Sequence, residues 1–264
     1  MIFSLGILSC TVGDKPGQAE NKESDVRVVK EFYPDGRLKS STEAVGNLRQ
    51  GVSREYRSDG TLESEIHYDR NRKHGVARNF YPDGETPKTE IHYVNGYKQG
   101  EAKWFYKGGE VYRVTPYKNN NIHGIRRYYY ENGQIQAELN YVNGQPGTGL
   151  REYTREGKLK QFDGVIQIRE EDRLKTDNTF VLHLNISDGT RNVEFFKGEL
   201  TDGTYWNDKL REVPTEKGTG KITIFVNKGE FKMETLNLVA RMETNLGHTR
   251  IIQKEYHLAV ENKF

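Results

Sequence analysis

The sequence predicts an all-β protein, in which an elongated meander of tandem hairpins of about 24 residues precedes a C-terminal β-sandwich-like domain. Two observations predict this fold. Turn glycines recur at a nearly fixed spacing in the first half of the chain, and strand-like segments divided by turn signals fill the second half. We therefore divide the chain into a signal remnant and tether (residues 1–25), hairpin repeats (26–160) and the sandwich-like domain (161–264).

The composition suits short strands better than one thick globular core. Only 34% of the 264 residues are hydrophobic, whereas 27 Gly and 16 Tyr fit tight turns and strands. The formal net charge of +2 gives no reason to expect a nucleic-acid partner. Residues 26–160 contain 23 basic and 17 acidic side chains, a net charge of +6. This half could attract an acidic partner, or it could simply present a solvated face of mixed charge.

Residues 1–25 resemble the start of a bacterial lipoprotein. The apolar run MIFSLGILSC ends at Cys10, the one cysteine of the chain, and Ile7-Leu8-Ser9 resembles a lipobox, in which the cysteine is lipidated. The 15 residues that follow are too polar to bury anything and would form a flexible tether. No Lys or Arg precedes the run, which is also short for a complete signal peptide. The alternative is a hydrophobic N-terminus with a buried cysteine.

A series of six turn glycines defines the repeat. They are Gly36, Gly60, Gly84, Gly109, Gly133 and Gly157, separated by 24, 24, 25, 24 and 24 residues. An aromatic residue stands four positions before each of them and a basic residue stands six positions before. A second series opens the later units at Gly51, Gly75, Gly100, Gly124 and Gly149. A fixed period of this length marks a repeat architecture.

We predict a β-hairpin at each turn glycine. A two-residue primed turn requires a positive φ angle, which glycine adopts without steric cost. Counting outward from such a turn gives the cross-strand pairs Arg57–Leu62, Tyr56–Glu63, Arg54–Glu65 and Arg127–Glu138. The basic series is then a ladder of cross-strand charge pairs rather than a ligand groove.

Two aromatic rows run along the repeats. The first lies four positions before the turn glycines, and its central members form the candidate interaction surface: Tyr56, Phe80, Phe105 and Tyr129. The second follows the turns at Tyr68, Tyr93, Tyr117 and Tyr141. The same count places the two rows on opposite faces. A single layer of hairpins cannot bury both faces, so at least one row should be partly exposed unless another domain or chain covers it.

Two segments show the full repeat pattern: YYENGQIQAELNYVNG (129–144) and REYRSDGTLESEIHYDRNRKHG (54–75). The pattern of an aromatic pair, Asn/Asp-Gly, an aliphatic residue, Glu, Tyr and a closing Gly resembles the MORN-repeat variant of the bacterial YwqK family. The resemblance covers about residues 26–160 and implies consecutive hairpins, with the incomplete sixth unit as a cap. Relatives are often labelled antitoxin-like, but the resemblance implies no catalytic residues.

Residues 161–264 lose the period but keep strand-like segments. The segments are GVIQIRE, FVLHLNIS, NVEFFKGEL, GKITIFV, LNLVARME and TRIIQKEYHLAV. Turn signals such as SDGT, TDGT and NKGE divide them. Six or seven strands in this length suggest a β-sandwich, although a jelly-roll-like or barrel arrangement would give the same pattern.

The sequence shows no motif of an enzyme, metal site or cofactor. His67 and His92 recur within EIHY, and His74 and His123 precede repeat glycines, so these histidines occupy repeat positions rather than metal-ligand spacings. The chain contains neither a G-x-S-x-G elbow nor a phosphate loop, and its carboxylates are scattered along the hairpins. We therefore expect a protein without catalytic residues, metal or cofactor.

Two functions of different class fit these observations. The first is a lipid-anchored module of the bacterial cell envelope, periplasmic or on the outer surface, that binds a protein or a glycan. The second is a soluble cytoplasmic interaction protein of the antitoxin-like kind.

Overall fold

The computed structural model describes residues 26–264, so the predicted lipidation site Cys10 and the tether of residues 1–25 lie outside the described residues. The described chain is nearly all β, which confirms the predicted class. Its one helix, α1 (Leu174–Asp177), has four residues. Within residues 26–264, no helix has the length and apolar character needed to cross a membrane.

The repeats form one antiparallel sheet of 14 strands, in which the hairpins follow one another in chain order. The longer strands are β1 (Val26–Phe32), β2 (Leu38–Val45), β3 (Leu48–Tyr56), β4 (Leu62–Asp69), β5 (Arg72–Phe80), β6 (Pro87–Val94), β8 (Gly100–Phe105), β9 (Val111–Lys118), β11 (Gly124–Tyr129) and β12 (Ile135–Val142). Two-residue strands extend the pairing: β7 (Tyr97–Lys98), β10 (Asn121–Ile122), β13 (Gln145–Pro146) and β14 (Arg151–Glu152). The predicted meander of hairpins is therefore confirmed.

The turns at five of the six turn glycines have three loop residues, not the predicted two, and the Gly84 turn has four, because the Tyr81 N–H donates to the carbonyl of Thr86. The Gly60 N–H donates to the carbonyl of Arg57 at 2.9 Å, and the Arg57 N–H donates to the carbonyl of Thr61 at 2.9 Å. Gly60 has a φ of +92°, whereas the two residues before it keep negative φ, as in a type I turn with a G1 bulge. Arg57 therefore faces Thr61 rather than Leu62. The same closing bond from the glycine N–H occurs at Gly36, Gly84, Gly109, Gly133 and Gly157.

A second irregularity restores the predicted register away from the turn. Tyr56 lies opposite Leu62, so its predicted pairing with Glu63 is wrong. Glu63 is the extra residue of a bulge in β4, and beyond it Arg54 lies opposite Glu65 as predicted. The longer loop and the bulge shift the pairing by one residue each, in opposite directions, and so they cancel.

Two-residue primed turns occur at the other end of each hairpin. Asn95 and Gly96 have φ angles of +50° and +88°, and Val94 pairs with Tyr97 across them. Two successive residues with positive φ also occur at Arg70-Asn71, Asn119-Asn120 and Asn143-Gly144. Positive φ at both central residues defines the type I′ turn, for which asparagine and glycine are the favoured residues. The primed turn was predicted at the wrong end because Asn-Gly occurs at both ends of the fifth unit.

The C-terminal part consists of two four-stranded sheets. The first contains β15 (Ile166–Arg173), β16 (Thr179–Ile186), β20 (Thr219–Phe225) and β19 (Thr215–Glu216). The second contains β18 (Arg211–Val213), β17 (Val193–Lys197), β21 (Phe231–Glu243) and β22 (Thr249–Glu261). One buried cluster joins Leu182 and Leu184 of the first sheet to Phe195, Leu238 and Leu258 of the second. The two sheets therefore pack face to face, as predicted for a sandwich.

The last repeat unit is attached to the sandwich. Gly147 forms an isolated β-bridge with Tyr205, and the Thr148 N–H donates to the carbonyl of Thr204 at 3.0 Å. The sixth unit was predicted to cap the array. Its strand β14 pairs with β12 at the end of the sheet, and the backbone just before it is hydrogen-bonded to the loop between β17 and β18.

Candidate interaction surfaces

The predicted aromatic row lies on one face of the repeat sheet, near the turns, and is partly accessible to solvent. Tyr56, Phe80, Phe105 and Tyr129 are all partly buried. Each lies opposite an apolar residue of the same hairpin, and these partners are Leu62, Pro87, Val111 and Ile135. Cross-strand aromatic–aliphatic pairs of this kind stabilise a hairpin by up to about 1 kcal/mol each. The row thus gives one face of the sheet a continuous apolar stripe near the turns.

A hydrogen-bond ladder between successive repeats was missed by sequence reasoning. The donor is the side chain of the residue three positions before a turn glycine. The acceptor is a backbone carbonyl in the next repeat, that of the aromatic residue four positions before the next turn glycine. The pairs are Tyr33 to Tyr56 (2.7 Å), Arg57 to Phe80 (2.7 Å), Tyr81 to Phe105 (2.7 Å), Tyr106 to Tyr129 (2.8 Å) and Tyr130 to Tyr153 (2.8 Å). The signal was the residue that follows each aromatic of the first row, which is tyrosine in four of the six units and arginine in the second.

The predicted charge ladder lies on the same face as the aromatic stripe. Arg54 contacts Glu65 at 2.8 Å, and Arg78 contacts Glu90 at 2.8 Å and Glu65 at 3.9 Å. The predicted pair of Arg127 and Glu138 also forms, at 3.0 Å. The repeat arginines of this face are therefore engaged by carboxylates within the sheet, and the interpretation as a structural ladder is confirmed for these pairs.

The second aromatic row lies on the opposite face. Tyr68 pairs with Gly51 of β3, and Gly51 and Tyr56 are an odd number of positions apart, so strand alternation places them on different sides of the sheet. Each tyrosine faces the glycine that opens a unit: Gly51–Tyr68, Gly75–Tyr93, Gly100–Tyr117 and Gly124–Tyr141. Gly124 has a φ of +111°, and a Cβ atom there would lie 3.2 Å from the Pro116 ring. A basic side chain covers each ring: Arg49 over Tyr68 (4.1 Å), Lys73 over Tyr93 (5.3 Å), Lys98 over Tyr117 (5.1 Å) and Arg126 over Tyr141 (4.6 Å).

Towards the sandwich this second face becomes a cluster of arginines and aromatic rings. We call it the arginine–aromatic cluster; its members are Trp104, Tyr112, Arg113, Arg126, Tyr128 and Tyr141. The Arg113 guanidinium stacks on Trp104 at 3.9 Å, and Tyr128 lies opposite Arg113 in the sheet. Arg126 donates to the hydroxyl of Tyr141 at 3.1 Å.

Buried polar atoms without a partner concentrate at this cluster. Within residues 26–264 they include Nε of Arg113, Nε of Arg126, Oγ1 of Thr115 and Nε2 of His248. Thr115 is completely buried, and the His248 ring lies 4.5 Å from the ring of Tyr128. An unpaired buried donor costs about 1–3 kcal/mol, so such a concentration in a native fold requires an explanation.

Behind the cluster, a buried ion pair fixes the junction with the sandwich. Glu152 of β14 accepts a hydrogen bond from the Thr244 hydroxyl at 2.6 Å, and its other oxygen lies 3.6 Å from Arg250 of β22. Arg250 also donates to the carbonyl of Leu150 at 3.3 Å. Burial lowers the pKa of His248 beside this pair, and the nearby Glu152 charge opposes that shift.

The histidines considered as metal ligands have structural contacts. Nδ1 of His67 lies 2.9 Å from the carbonyl of Val76, and Nε2 of His92 lies 3.7 Å from Glu90. In the part of the chain that the structure describes, no three His, Cys, Asp or Glu side chains come together in a way that could hold a metal ion.

Comparison with known families identifies the repeat. Residues 49–70, 98–119 and 122–143 match the MORN repeat variant. Each matched segment spans one hairpin, with a turn glycine at its centre. The unmatched hairpin of β5 and β6 contains the insertion ETPK, yet its turn closes with the same Gly84 hydrogen bond. A search of curated proteins found no match to the chain. MORN repeats are generally non-catalytic, and the match supports a repeat-based interaction module.

Proposed function

We propose that this protein is a non-catalytic interaction module whose repeat sheet binds a protein or a glycan. One observation carries the proposal: the repeats form a single-layered sheet whose two aromatic rows are partly exposed, on opposite faces, over most of their length. Aromatic residues on an exposed surface are enriched at interfaces, because they offer a large contact area at low entropic cost.

The thin core of the repeats supports this proposal. The buried residues of the repeat hairpins are mostly small, as at Ala44, Ser64, Ala77, Ala102 and Ala137. Large side chains therefore stay near the surface, where a partner can reach them. By contrast, the sandwich buries its large apolar residues in one cluster between its two sheets.

Paired substitutions in each row test the proposal. One variant carries Tyr56→Thr and Phe80→Thr, and its matched control carries Tyr68→Thr and Tyr93→Thr on the opposite face. Threonine retains β propensity, so a change in binding can be separated from a loss of strand formation. Binding of the purified, fluorescently labelled protein to isolated envelope fractions and to peptidoglycan would be measured beside the unfolding midpoint.

The expected result is that one pair lowers binding while its unfolding midpoint stays close to that of the wild type. If both variants bind as the wild type does and no other part of the repeat sheet binds the partner, the repeat sheet is only a spacer and the proposal is wrong. If a pair loses binding and stability together, that row belongs to the core rather than to an interface.

We further propose that the module is held in the bacterial cell envelope by lipidation of Cys10, with residues 11–25 as the tether. The apolar run before Cys10 and the lipobox-like Ile7-Leu8-Ser9 support this proposal. The test is fractionation of cells that express the protein from its natural gene, in which Cys10→Ser should release the protein from the membrane. A wild-type protein found wholly in the cytosol would instead favour the antitoxin-like cytoplasmic function.

A further inference from the structure

We propose that the arginine–aromatic cluster is the site at which the repeat sheet binds a carboxylate of an acidic segment in a partner protein. The inference rests on the proposed function as an interaction module and names its ligand chemistry. It concerns the second face of the fourth and fifth repeats, not the predicted row of Tyr56, Phe80, Phe105 and Tyr129.

Two guanidinium groups meet at one tyrosine in this cluster. The carbon of the Arg113 guanidinium lies 5.9 Å from the centre of the Tyr128 ring, and Arg126 lies 3.4 Å from the Tyr128 hydroxyl. Both guanidiniums therefore lie beside the same tyrosine side chain, on a partly buried surface. A bound anion would be attracted by both positive charges.

The carboxylates of the sheet do not neutralise these arginines. Glu65, Glu90 and Glu138 pair with arginines on the opposite face. Glu152, which shares the face of Tyr128 through the register of β12, is occupied by Thr244 and by Arg250. The positive charge of the cluster is therefore left to an external partner.

The cluster also contains N–H donors that lack a hydrogen-bond partner. Nε of Arg113 and Nε of Arg126 are buried without a hydrogen-bond partner among the described residues. The Nε groups themselves are out of reach of a ligand, so a ligand carboxylate would use its two acceptor oxygens on the terminal N–H groups of the guanidiniums. His248 adds a buried ring nitrogen without a partner at the sandwich end of the cluster.

The stacking of Arg113 on Trp104 favours an acidic peptide over a sugar. A guanidinium held over an aromatic ring loses less freedom when it binds a planar carboxylate. The same stacking, at 3.9 Å, covers the Trp104 face on which a sugar ring would otherwise pack. Tryptophan, tyrosine and arginine are also the residues most enriched at the energetic centres of protein interfaces. The net charge of +6 on residues 26–160 would attract an acidic segment to this half of the chain.

The test is binding of a short fluorescein-labelled peptide rich in glutamate, followed by fluorescence anisotropy on the full chain. The variant carries Arg113→Gln and Arg126→Gln. Its control carries Lys107→Gln and Lys118→Gln, which remove the same charge from exposed positions of neighbouring hairpin segments. We expect the arginine variant to bind about tenfold more weakly or worse and the lysine control to change about twofold or less. The conservative variant Arg113→Lys with Arg126→Lys should not restore wild-type affinity, because lysine lacks the planar fork.

A second readout keeps the arginines intact. Trp104 and Trp206 are the two tryptophans of the chain, so a Trp206→Phe protein reports on Trp104 alone. Peptide titration should change the Trp104 emission with the affinity seen by anisotropy.

Equal losses in the arginine and lysine variants, or an unchanged Trp104 emission, would overturn the proposed site. Arginine-dependent binding of polygalacturonate without binding of the peptide would overturn the choice of a protein partner. The paired substitutions at Tyr56 and Phe80 test the interaction module separately, because neither residue lies in the cluster.

Discussion

The tyrosine ladder between repeats offers the sharpest test of how this sheet is held together. The perturbation is Tyr81→Phe, which removes only the hydroxyl that donates to the carbonyl of Phe105 at 2.7 Å. The hydroxyl links residues 24 positions apart, so its loss weakens the contact between successive hairpins rather than the turn of one hairpin.

The magnitude follows from the chemistry of the bond. Removing one partner of a partly buried hydrogen bond costs about 0.5–1.5 kcal/mol, with an additional penalty if water cannot reach the acceptor left behind. The ladder has four tyrosine donors: Tyr33, Tyr81, Tyr106 and Tyr130. They act on separate carbonyls, so their effects should add approximately, and the fourfold Tyr→Phe variant should lose about 2–6 kcal/mol.

The assay is urea unfolding, with the midpoint of the repeat transition as the readout. Tyr97→Phe is the matched control, because Tyr97 is 55% exposed and lies outside the ladder. We expect a graded fall of the midpoint from the wild type through Tyr81→Phe to the fourfold variant. A fourfold variant that unfolds at the midpoint of Tyr97→Phe would refute the reasoning and assign the stability of the array to the backbone ladder alone.

Three further predictions follow from the turn, the junction and its histidine. Gly133→Val should lower the free energy of unfolding by about 1–2 kcal/mol, because Gly133 has a φ of +80°; an unchanged melting temperature would contradict the turn geometry. Glu152→Gln should cost about 3 kcal/mol in urea unfolding, since it leaves buried Arg250 without a charged partner, whereas a loss below about 1 kcal/mol would show that the pair is solvated. Burial lowers the pKa of His248, so as the pH falls below the unfolded value of about 6.5 the unfolded chain takes up a proton that the folded chain resists. The free energy of unfolding should therefore decrease as the pH is lowered, and it should decrease less in His248→Gln. If the wild type and His248→Gln show the same pH dependence of the unfolding midpoint, His248 does not cause the loss of stability at low pH.

Features that repeat, or that depend on neighbours along the chain, could be predicted from the sequence alone. The positive φ of the six turn glycines, the pairing of Arg54 with Glu65 and the opposite faces of the two aromatic rows all follow from a period of two along a strand and from counting across a hairpin. The six strand-like segments of the C-terminal part are likewise all strands in the structure. These are local properties, and a local pattern is sufficient to fix them.

The local pattern failed where two similar turns compete. Asn132-Gly133 and Asn143-Gly144 look alike as dipeptides, yet the first closes a three-residue loop and the second a primed two-residue turn. The choice of loop length depends on the pairing of the flanking strands, and the bulge in each hairpin offsets the register shift that the longer loop causes. Sequence reasoning therefore found the turns and the register of the charge ladder but not the loop length.

Which side chains share a site depends on contacts between residues far apart in the sequence. The Tyr–carbonyl ladder spans 23 or 24 positions, and the contact of Arg250 with Leu150 spans 100. The arginine–aromatic cluster was also invisible in the sequence, because Arg113 and Arg126 occupy ordinary strand positions. Whether an arginine meets a carboxylate or an aromatic ring depends on the face to which strand pairing assigns it. That assignment is made by contacts across the sheet, which no local pattern contains.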